Sequence, residues 1–416
     1  MKFRLFCFIY VNAFVHCLPY LIFLNGSTTL ESVYTYINTV EPQFKLKSAV
    51  KNSFSIGNLS GFVGDFSKGI ASKLSDCPFI SEVTPDVIFK ASEKVLVEEA
   101  PRHLARVSQR KQLRGDYFEY SYDITASGVG VNAYVIDSGV HIEHPQFEGR
   151  ARHGIDLTTE GLDDYNGHGT HVAGLIGSEK YGVSKNVNIV NVKALDQFGI
   201  GSLSSIISAI EFSVKDMTSG NHKGVANLSL GAPKNKALNK VIDAAFDAGL
   251  VMVVAAGNEN SNACYTSPAS ATKAITVGSI DDYDDSLTTF TNWGYCVDLF
   301  APGRSIPSVD ANSESEPRIL SGTSMSSPQV AGVVANLLSR GVTPEKVKQH
   351  IIDLSTRNKI SRTSLFLKFR TPNRIAYNGV EHDFDAGNQD NQDNEDNEDS
   401  NLEVEEHIYP LDTLVL

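Results

Sequence analysis

The sequence has too few cysteines for a scaffold built from disulfides, with five in 416 residues. Cys7 and Cys17 lie in the N-terminal segment, Cys77 stands alone, and Cys264 and Cys296 follow much later in the chain. Small secreted domains that depend on disulfides contain far more cysteine for their length. The fold must therefore depend on a hydrophobic core. An oxidising compartment would permit a bridge between Cys264 and Cys296, but the residues alone leave two buried thiols as the alternative.

The sequence also lacks an excess of basic residues. The formal net charge is -13, but residues 375–416 hold 13 Asp and Glu and no Lys or Arg, which leaves 36 acidic residues against 36 Lys and Arg in the rest of the chain. Proteins that bind nucleic acid usually carry a basic field. We therefore expect no nucleic-acid partner. The composition of residues 379–416, rich in Asn, Gln, Asp and Glu, predicts an acidic disordered tail.

Long hydrophobic runs are missing as well. No window beyond the N-terminal segment approaches the ~18 consecutive apolar residues of a transmembrane helix, so we expect no membrane span. Residues 1–17 place two basic residues before an apolar stretch through Phe14, which is typical of a signal peptide cleaved near Cys17. A membrane anchor is disfavoured because Asn12 and His16 interrupt this short stretch. The pattern predicts entry into the secretory pathway.

Residues 18–91 change pattern several times within a short length. Two helical patterns alternate with strand-like runs at Tyr20–Leu24, Phe54–Ile56, Gly61–Phe66, Ile80–Val83 and Val87–Phe89. The alternation predicts a small α+β unit, of a size at which a lone core is only marginally stabilising. Residues 92–115 are charged and poor in large apolar side chains, which predicts an exposed linker.

The main domain is predicted over residues 116–378. Strand-like and helical segments alternate there, the helical ones including Leu203–Val214 and Leu238–Ala248; the β-rich runs are Val131–Ile136, Val187–Val192, Val225–Leu230, Leu250–Ala255 and Ala274–Val277. Parallel strands need crossover connections that helices usually supply, so the alternation predicts an α/β fold with a parallel sheet. Ligands then bind at the carboxyl ends of the strands.

Three segments of this domain contain the residues that a serine hydrolase needs. A serine hydroxyl is a weak nucleophile unless a base lies within hydrogen-bond reach and an acid orients that base. Asp137 ends a buried strand, His168 begins a helix of small residues, and Ser324 stands at the start of another helix. Each segment is common by itself, but their combination in this order predicts nucleophilic catalysis.

A fourth polar residue follows another apolar strand. Asn258 ends the segment Ala-Ala-Gly-Asn, and its amide could join the backbone N–H of Ser324 in binding a tetrahedral oxyanion. The spacing of His168 and His171 also resembles a zinc pair. No glutamate stands beside them in a metalloprotease arrangement and no third ligand is evident, so we interpret His171 as structural.

These segments resemble the three active-site signatures of the subtilase family of serine proteases (peptidase family S8). The likeness extends from about Ala100 to Ala376 and is strongest to the proteinase K branch, including fungal vacuolar and spore-associated members. It implies that Asp137 orients the base, His168 is the general base and acid, Ser324 attacks, and Asn258 binds the oxyanion. Ser138 departs from the family pattern, in which threonine is more usual.

The resemblance also implies an architecture. We expect a subtilisin-like three-layer α/β fold with a mainly parallel sheet over residues 116–378. A small ferredoxin-like α+β unit over 18–91 would be an inhibitory propeptide that also assists folding. Residues 92–115 would contain the processing region, so the enzyme would be a self-processing zymogen that acts as a monomer in the vacuole, the extracellular space, or the spore or cell wall.

The resemblance further implies how substrate and metal bind. Polypeptide substrates would add a strand between two enzyme segments, and the primary pocket would have Gly257 in its floor; the matching segment residues are Gly199, Gly201, Ser229, Leu230 and Gly231. No cofactor is expected for catalysis. Thr272, Ala274 and Asp298 align with a structural calcium site, in which Asp298 supplies the carboxylate. Cys264 and Cys296 lie where some relatives have a disulfide.

Two other functions fit the sequence less well. An α/β-hydrolase esterase requires Gly-x-Ser-x-Gly and a histidine after the serine, whereas residues 322–326 read Gly-Thr-Ser-Met-Ser and His168 comes first. A catalytically silent protein that keeps the fold for binding, or for spore or cell-wall assembly, would not need all four polar residues. The sequence therefore favours a serine endopeptidase.

Overall fold

The computed structural model describes residues 18–26, 28–86 and 94–380. The predicted signal peptide, the Val87–Phe89 strand and nearly all of the acidic tail lie outside the described residues. The chain divides into two compact units, Met1–Ala91 and Ser92–Leu416. No helix of the described ranges combines the length and apolar character that crossing a membrane requires.

The first unit is a four-stranded antiparallel sheet with helices. Its strands are β1 (Leu18–Leu24), β2 (Val50–Ile56), β3 (Leu59–Phe66) and β4 (Ile80–Pro85), in the spatial order β2-β3-β1-β4. Its helices are α1 (Leu30–Val40), α2 (Leu46–Ala49) and α3 (Lys68–Ser75). This is the βαββαβ order of the ferredoxin-like fold. The core contains Ile22, Val33, Ile37, Phe62, Phe66 and Leu74.

The second unit contains the remaining described elements. Its strands are β5 (Lys94–Val97), β6 (Tyr120–Asp123), β7 (Val131–Asp137), β8 (Ala151–Asp156), β9 (Asn188–Lys193), β10 (Lys223–Leu228), β11 (Ala232–Pro233), β12 (Val251–Ala255), β13 (Thr266–Ser267), β14 (Ile275–Asp281), β15 (Ser286–Leu287), β16 (Leu299–Pro302), β17 (Ile306–Asp310), β18 (Ser313–Leu320), β19 (Thr356–Arg357) and β20 (Arg374–Ile375). Its helices are α4 (Arg102–Ser108), α5 (His168–Gly177), α6 (Leu203–Ser219), α7 (Lys236–Asp247), α8 (Thr323–Ser339), α9 (Pro344–Leu354) and α10 (Arg362–Leu365). Short 3₁₀ turns lie at Ile124–Ala126, Pro145–Phe147 and Ala263–Tyr265.

A mainly parallel sheet forms the middle layer of this unit. Its spatial order is β19-β20-β16-β14-β12-β10-β7-β9-β8, with β15 paired to β14. Because successive side chains of a strand point to opposite faces, β7 sends Ala133 and Val135 into one core and Tyr134 and Ile136 into the other. Helices α5 and α8 cover the first face, and α6 and α7 cover the second. The three-layer α/β prediction is confirmed.

The exposed linker predicted for residues 92–115 is wrong over two segments. Strand β5 pairs with β6, and α4 is buried in the second unit. Arg106 is fully buried and donates two hydrogen bonds to the Asp285 carboxylate, at 2.7 and 3.1 Å. Leu104 and Val107 of the same helix lie in the core. The arginines of this stretch suggested solvent exposure because the sequence does not show that a distant carboxylate neutralises one of them.

Candidate active site

Three neighbouring parallel strands end in polar residues at one edge of the sheet. Strand β10 pairs with β7 on one side and with β12 on the other. Asp137 is the last residue of β7, Ser229 follows β10 and Asn258 follows β12. Because the carboxyl ends of parallel strands meet at the same edge, the strand order alone gathers three of the predicted site residues there.

Asp137 and His168 form a direct pair. Asp137 Oδ1 lies 2.7 Å from His168 Nδ1 and also accepts a 2.8 Å hydrogen bond from Ser138 N. The Asp137 side chain is buried, whereas 26% of the His168 side chain is exposed. A carboxylate can only accept, so Nδ1 carries the proton and Nε2 of the neutral ring is left as a base.

Helix α5 approaches β7 closely because glycine follows His168. A Cβ at Gly169 would lie 2.1 Å from Gly139 O and 3.1 Å from the Asp137 Cβ. Any larger residue would push the helix away from the strand and lengthen the Asp137–His168 contact. Gly169 therefore sets the distance between the acid and the base.

Asp164 holds the loop before His168, although no sequence pattern marks it as a site residue. Its carboxylate accepts from Ser138 Oγ at 2.9 Å, from Gly167 N at 2.8 Å and from Thr170 N and Oγ1 at 2.8 and 2.7 Å. Ser138 Oγ in turn accepts from Gly169 N at 3.1 Å. The Ser138 hydroxyl therefore connects the Asp164 carboxylate to the first turn of α5.

The pKa of His168 lies above its ordinary value. Burial disfavours the imidazolium, but the negative charge of Asp137 and the hydrogen bond to it outweigh that effect. The base is thus held close to the carboxylate both by geometry and by charge.

Ser324 is the second residue of α8 and is tied to Ser229. Ser324 Oγ donates to Ser229 O at 3.3 Å, and Ser229 Oγ donates to Ser324 O at 3.0 Å. Asn227 supports this contact because its amide donates to Ser229 Oγ at 2.8 Å. Within the described part of the chain, the Ser324 hydroxyl forms its hydrogen bond with Ser229 and not with His168. The predicted nucleophile and base therefore share a sheet edge without being bonded to each other.

Asn258 is oriented so that, among the described residues, its NH₂ group has no hydrogen-bond partner. Its Oδ1 accepts from Thr323 N at 2.8 Å and from Thr323 Oγ1 at 3.0 Å, which fixes which end of the amide is which. A Cβ at Gly322 would lie 3.5 Å from Asn258 Nδ2 and 3.6 Å from Ser324 N. Both donors therefore border one small space, which stays open because residue 322 has no side chain.

The predicted substrate segments line a cleft beside this pair. The cleft has a volume of about 510 Å³, and Asp137 and His168 lie in its wall. The loop before α6 and the segment after β10 form its sides, with contributions from Gly199, Gly201, Ser229, Leu230 and Gly231. Gly199 has a positive φ of 74°, and a Cβ at Gly201 would lie 2.4 Å from Ala194 O. Glycine is thus required at both positions for the loop to keep this course.

A second cavity, of about 320 Å³, adjoins the cleft. Gly257 lies in its lining, together with Ala256, Tyr265 and Glu259. Glu259 was not identified from the sequence. Its Oε2 accepts a 2.6 Å hydrogen bond from Asn292, whose Oδ1 accepts from the Glu259 and Ser261 backbone at 3.1 and 2.9 Å. Asn292 therefore fixes the turn that follows Asn258.

A disulfide joins Cys264 to Cys296, with the α-carbons 5.4 Å apart. The predicted bridge is confirmed. It ties the wall of the second cavity, through the 3₁₀ turn at Ala263–Tyr265, to the segment that contains Asn292. Cys77 is a buried free thiol.

The three predicted calcium ligands are already bonded to a lysine. Lys348 Nζ donates to Ala274 O at 2.6 Å and to Thr272 O at 3.4 Å, and it lies 2.9 Å from Asp298 Oδ2. With this ammonium in place, the residues do not fit a calcium ion. His171, the other residue weighed as a metal ligand, lies 3.1 Å from the carbonyl oxygens of Ile306 and Arg318.

The chain is similar to proteins of one family. A sequence model described as the Subtilase family matches residues 128–400, a range that contains all four predicted catalytic positions. The subtilase-type proteinase RRT12 of Saccharomyces cerevisiae is 39% identical over 95% of this chain and 89% of its own length. Cerevisin of the same yeast is 40% identical, over 84% of this chain and 58% of its own length. Subtilisin-like serine protease Rho m 2.0101 of Rhodotorula mucilaginosa is 42% identical, over 75% of this chain and 95% of its own.

A solved structure agrees with these matches. The crystal structure of a cold-adapted subtilisin-like serine proteinase superimposes with a TM-score of 0.61 and is 40% identical. The match covers 67% of this chain and 98% of the other, so two thirds of this chain correspond to nearly the whole of that proteinase.

Proposed function

Because this chain belongs to the subtilase family and is a serine endopeptidase, we propose that Asp137, His168, Ser324 and Asn258 are its catalytic residues. The observation that carries the proposal is the 2.7 Å contact between Asp137 Oδ1 and His168 Nδ1, at the sheet edge where Ser324 and Asn258 also lie. An oriented base beside a serine is the arrangement that nucleophilic catalysis requires.

In the first step, His168 Nε2 removes the proton of the Ser324 hydroxyl. The hydroxyl must turn from Ser229 O, its partner in the free enzyme, toward the imidazole. Hydrogen bonds of this kind often form only when substrate is bound. Oγ then attacks the carbonyl carbon of the scissile bond, and Asp137 stabilises the imidazolium that results.

The oxyanion forms in the space between Asn258 Nδ2 and Ser324 N. The Ser324 amide lies in the first turn of α8, where amides have no intrahelical partner and the helix dipole favours negative charge. His168 next donates its proton to the leaving amine, which breaks the peptide bond and leaves an acyl group on Ser324. Water, deprotonated by His168, hydrolyses that acyl group and restores the free serine.

The substrate binds as an extended strand in the 510 Å³ cleft. Its backbone pairs with Gly199–Gly201 on one side and with Ser229–Gly231 on the other. The glycines allow the peptide backbone to approach, and the residue before the scissile bond enters the cavity lined by Gly257. This mode fits polypeptide substrates in extended conformation.

The chain is made as a zymogen that processes itself. The first unit precedes the catalytic unit and has a separate core, and RRT12 of S. cerevisiae matches 95% of this chain, so the likeness includes this region. The first unit acts as inhibitor and folding aid until cleavage near residues 92–101. Glu98 and Glu99, between β5 and α4, are exposed in this range.

The signal-like N-terminus sends the chain into the secretory pathway, toward the vacuole, the extracellular space, or the spore or cell wall, and the enzyme works as a monomer.

A fluorophosphonate probe tests this function directly. These reagents phosphonylate an activated serine, whose oxygen bonds to phosphorus as fluoride leaves, so we expect the wild-type chain to be labelled and peptide mapping to find the probe on Ser324. Prior heat denaturation should abolish labelling. An unlabelled but folded chain would instead support the alternative, a silent subtilase-fold protein with a binding or wall-assembly role.

Replacing the amide donor of Asn258 should slow the chemical step. We expect Asn258→Ala to lower kcat by roughly 10²–10³-fold, because one oxyanion donor is lost, while KM changes little. Steady-state cleavage of a peptide substrate measures both constants. Asn312→Ala, in the exposed turn between β17 and β18, is the matched control and should keep wild-type kcat. An equal rise in KM with unchanged kcat would assign Asn258 to substrate binding instead.

A further inference from the structure

Three oxygens near one end of the sheet converge on a single positive charge. The carbonyl oxygens of Thr272 and Ala274 precede β14, and the Asp298 carboxylate precedes β16, the neighbouring parallel strand. Lys348 Nζ reaches all three, at 3.4, 2.6 and 2.9 Å. An ammonium group has three donors, so these contacts use its full capacity.

The sheet itself fixes the carboxylate. Asp298 Oδ2 accepts from Thr276 N at 2.8 Å, and Asp298 N donates to Thr276 O at 2.9 Å. Only 15% of the Asp298 side chain is exposed. A carboxylate this deeply placed requires a counter-charge, since a buried ion without a partner is costly.

Helix α9 delivers that counter-charge. Val347 and Ile351 are buried and anchor the helix against the body of the unit. Lys348 follows Val347, and 28% of its side chain is exposed, so its stem runs along the protein while Nζ reaches the three oxygens.

Calcium does not fit this arrangement. The ion takes six to eight oxygen ligands at 2.3–2.6 Å, some of which can be water, but the common centre of the three protein oxygens already holds Nζ. A calcium ion on the same oxygens would occupy the space of the ammonium and repel it. Lys348 also supplies one positive charge for the one carboxylate, so the cluster is neutral without a metal.

We propose that the Lys348 ammonium takes the place of a structural metal ion at Thr272, Ala274 and Asp298, so that this part of the fold is stabilised without calcium. The side chain is a cation held covalently by α9, and it joins α9 to β14 and β16. Chelators cannot remove it.

Removing the ammonium tests the proposal. The full chain with Ser324→Ala, which avoids autolysis, serves as the parent, and Lys348→Ala and the exposed Lys346→Ala of the same helix are compared with it. The only tryptophan, Trp293, lies in the second unit, so its fluorescence follows unfolding of that unit. We expect Lys348→Ala to lower the midpoint of thermal unfolding by roughly 3–8 °C, as for loss of a partly buried ion pair.

Calcium distinguishes a metal substitute from an ordinary ion pair. Millimolar calcium should restore more than half of the decrease in unfolding midpoint that Lys348→Ala causes. The parent and Lys346→Ala should have the same unfolding midpoint in calcium as in EGTA. Adding Asp298→Asn to Lys348→Ala should abolish the restoration. Three results would overturn the proposal. Lys348→Ala could lower the unfolding midpoint no more than Lys346→Ala does, or it could lower the midpoint in a way that calcium does not restore. The third is that calcium raises the midpoint of the parent and that Asp298→Asn abolishes this increase.

Discussion

The full-length Ser324→Ala chain should keep its unprocessed size and lose nearly all peptidase activity. In a subtilisin, removal of the attacking serine alone lowers kcat by roughly 10⁶-fold, and the same loss is expected here because Ser324 is the proposed nucleophile. Maturation should stop as well if the chain cleaves itself. Gel mobility and N-terminal sequencing measure processing, and peptide hydrolysis measures activity. The wild-type N-terminus should fall within residues 92–101.

An exposed serine provides the control for this experiment. Ser219→Ala, at the end of α6, should mature and cleave peptide like the wild type. If Ser324→Ala shortens as the wild type does, another protease performs the processing and self-cleavage is wrong, although peptidase activity could still depend on Ser324. If neither form shortens or hydrolyses peptide, the fold has a non-catalytic role.

The parts of this molecule that the sequence predicted are those with local signals. Strand β7 is a mainly apolar run that ends in Asp137, and the helix that begins at His168 is rich in small residues, so both can be recognised within ten positions of the chain. The order of the three segments then indicated their common chemistry. Local signals also predicted the main strands, because a polar or glycine residue precedes each β-rich run.

The parts that the sequence did not predict depend on contacts between distant residues. Asp164 holds the loop at His168 through Ser138, which lies on another segment, and Asn292 orients Glu259 from 33 positions away. Neither residue belongs to a recognisable motif. Arg106 looked solvent-exposed for the same reason, since its partner Asp285 is 179 positions distant.

The calcium site expected from the family resemblance shows why matching ligand positions are not sufficient to predict a metal site. The three aligned positions are present, but the ligand set is decided by Lys348 on α9, outside the aligned group. A matched set of ligands does not establish a metal site unless the neighbouring side chains leave room for the ion. Here a single lysine changes both the space and the charge.

Asp137→Asn is expected to lower kcat by roughly 10⁴-fold while leaving the fold intact, the loss seen for the same change in another Ser-His-Asp protease. The carboxylate accepts the Nδ1 proton of His168 at 2.7 Å, whereas an asparagine amide can donate to Nδ1 and so favour the tautomer with the proton on Nε2. That tautomer cannot take the serine proton. Residual activity should remain from the oxyanion donors and substrate binding.

The pH profile separates this role of Asp137 from a merely structural one. Activity needs neutral His168, so kcat/KM falls as the pH drops through the pKa of that group, which Asp137 raises above its ordinary value. Without the negative charge, burial dominates and lowers the pKa, so the acid limb of Asp137→Asn should move to lower pH. Asp163→Asn removes an exposed charge nearby and should leave the limb in place. A limb that does not move in Asp137→Asn would show that another group, and not the Asp137–His168 pair, controls the acid side of the profile.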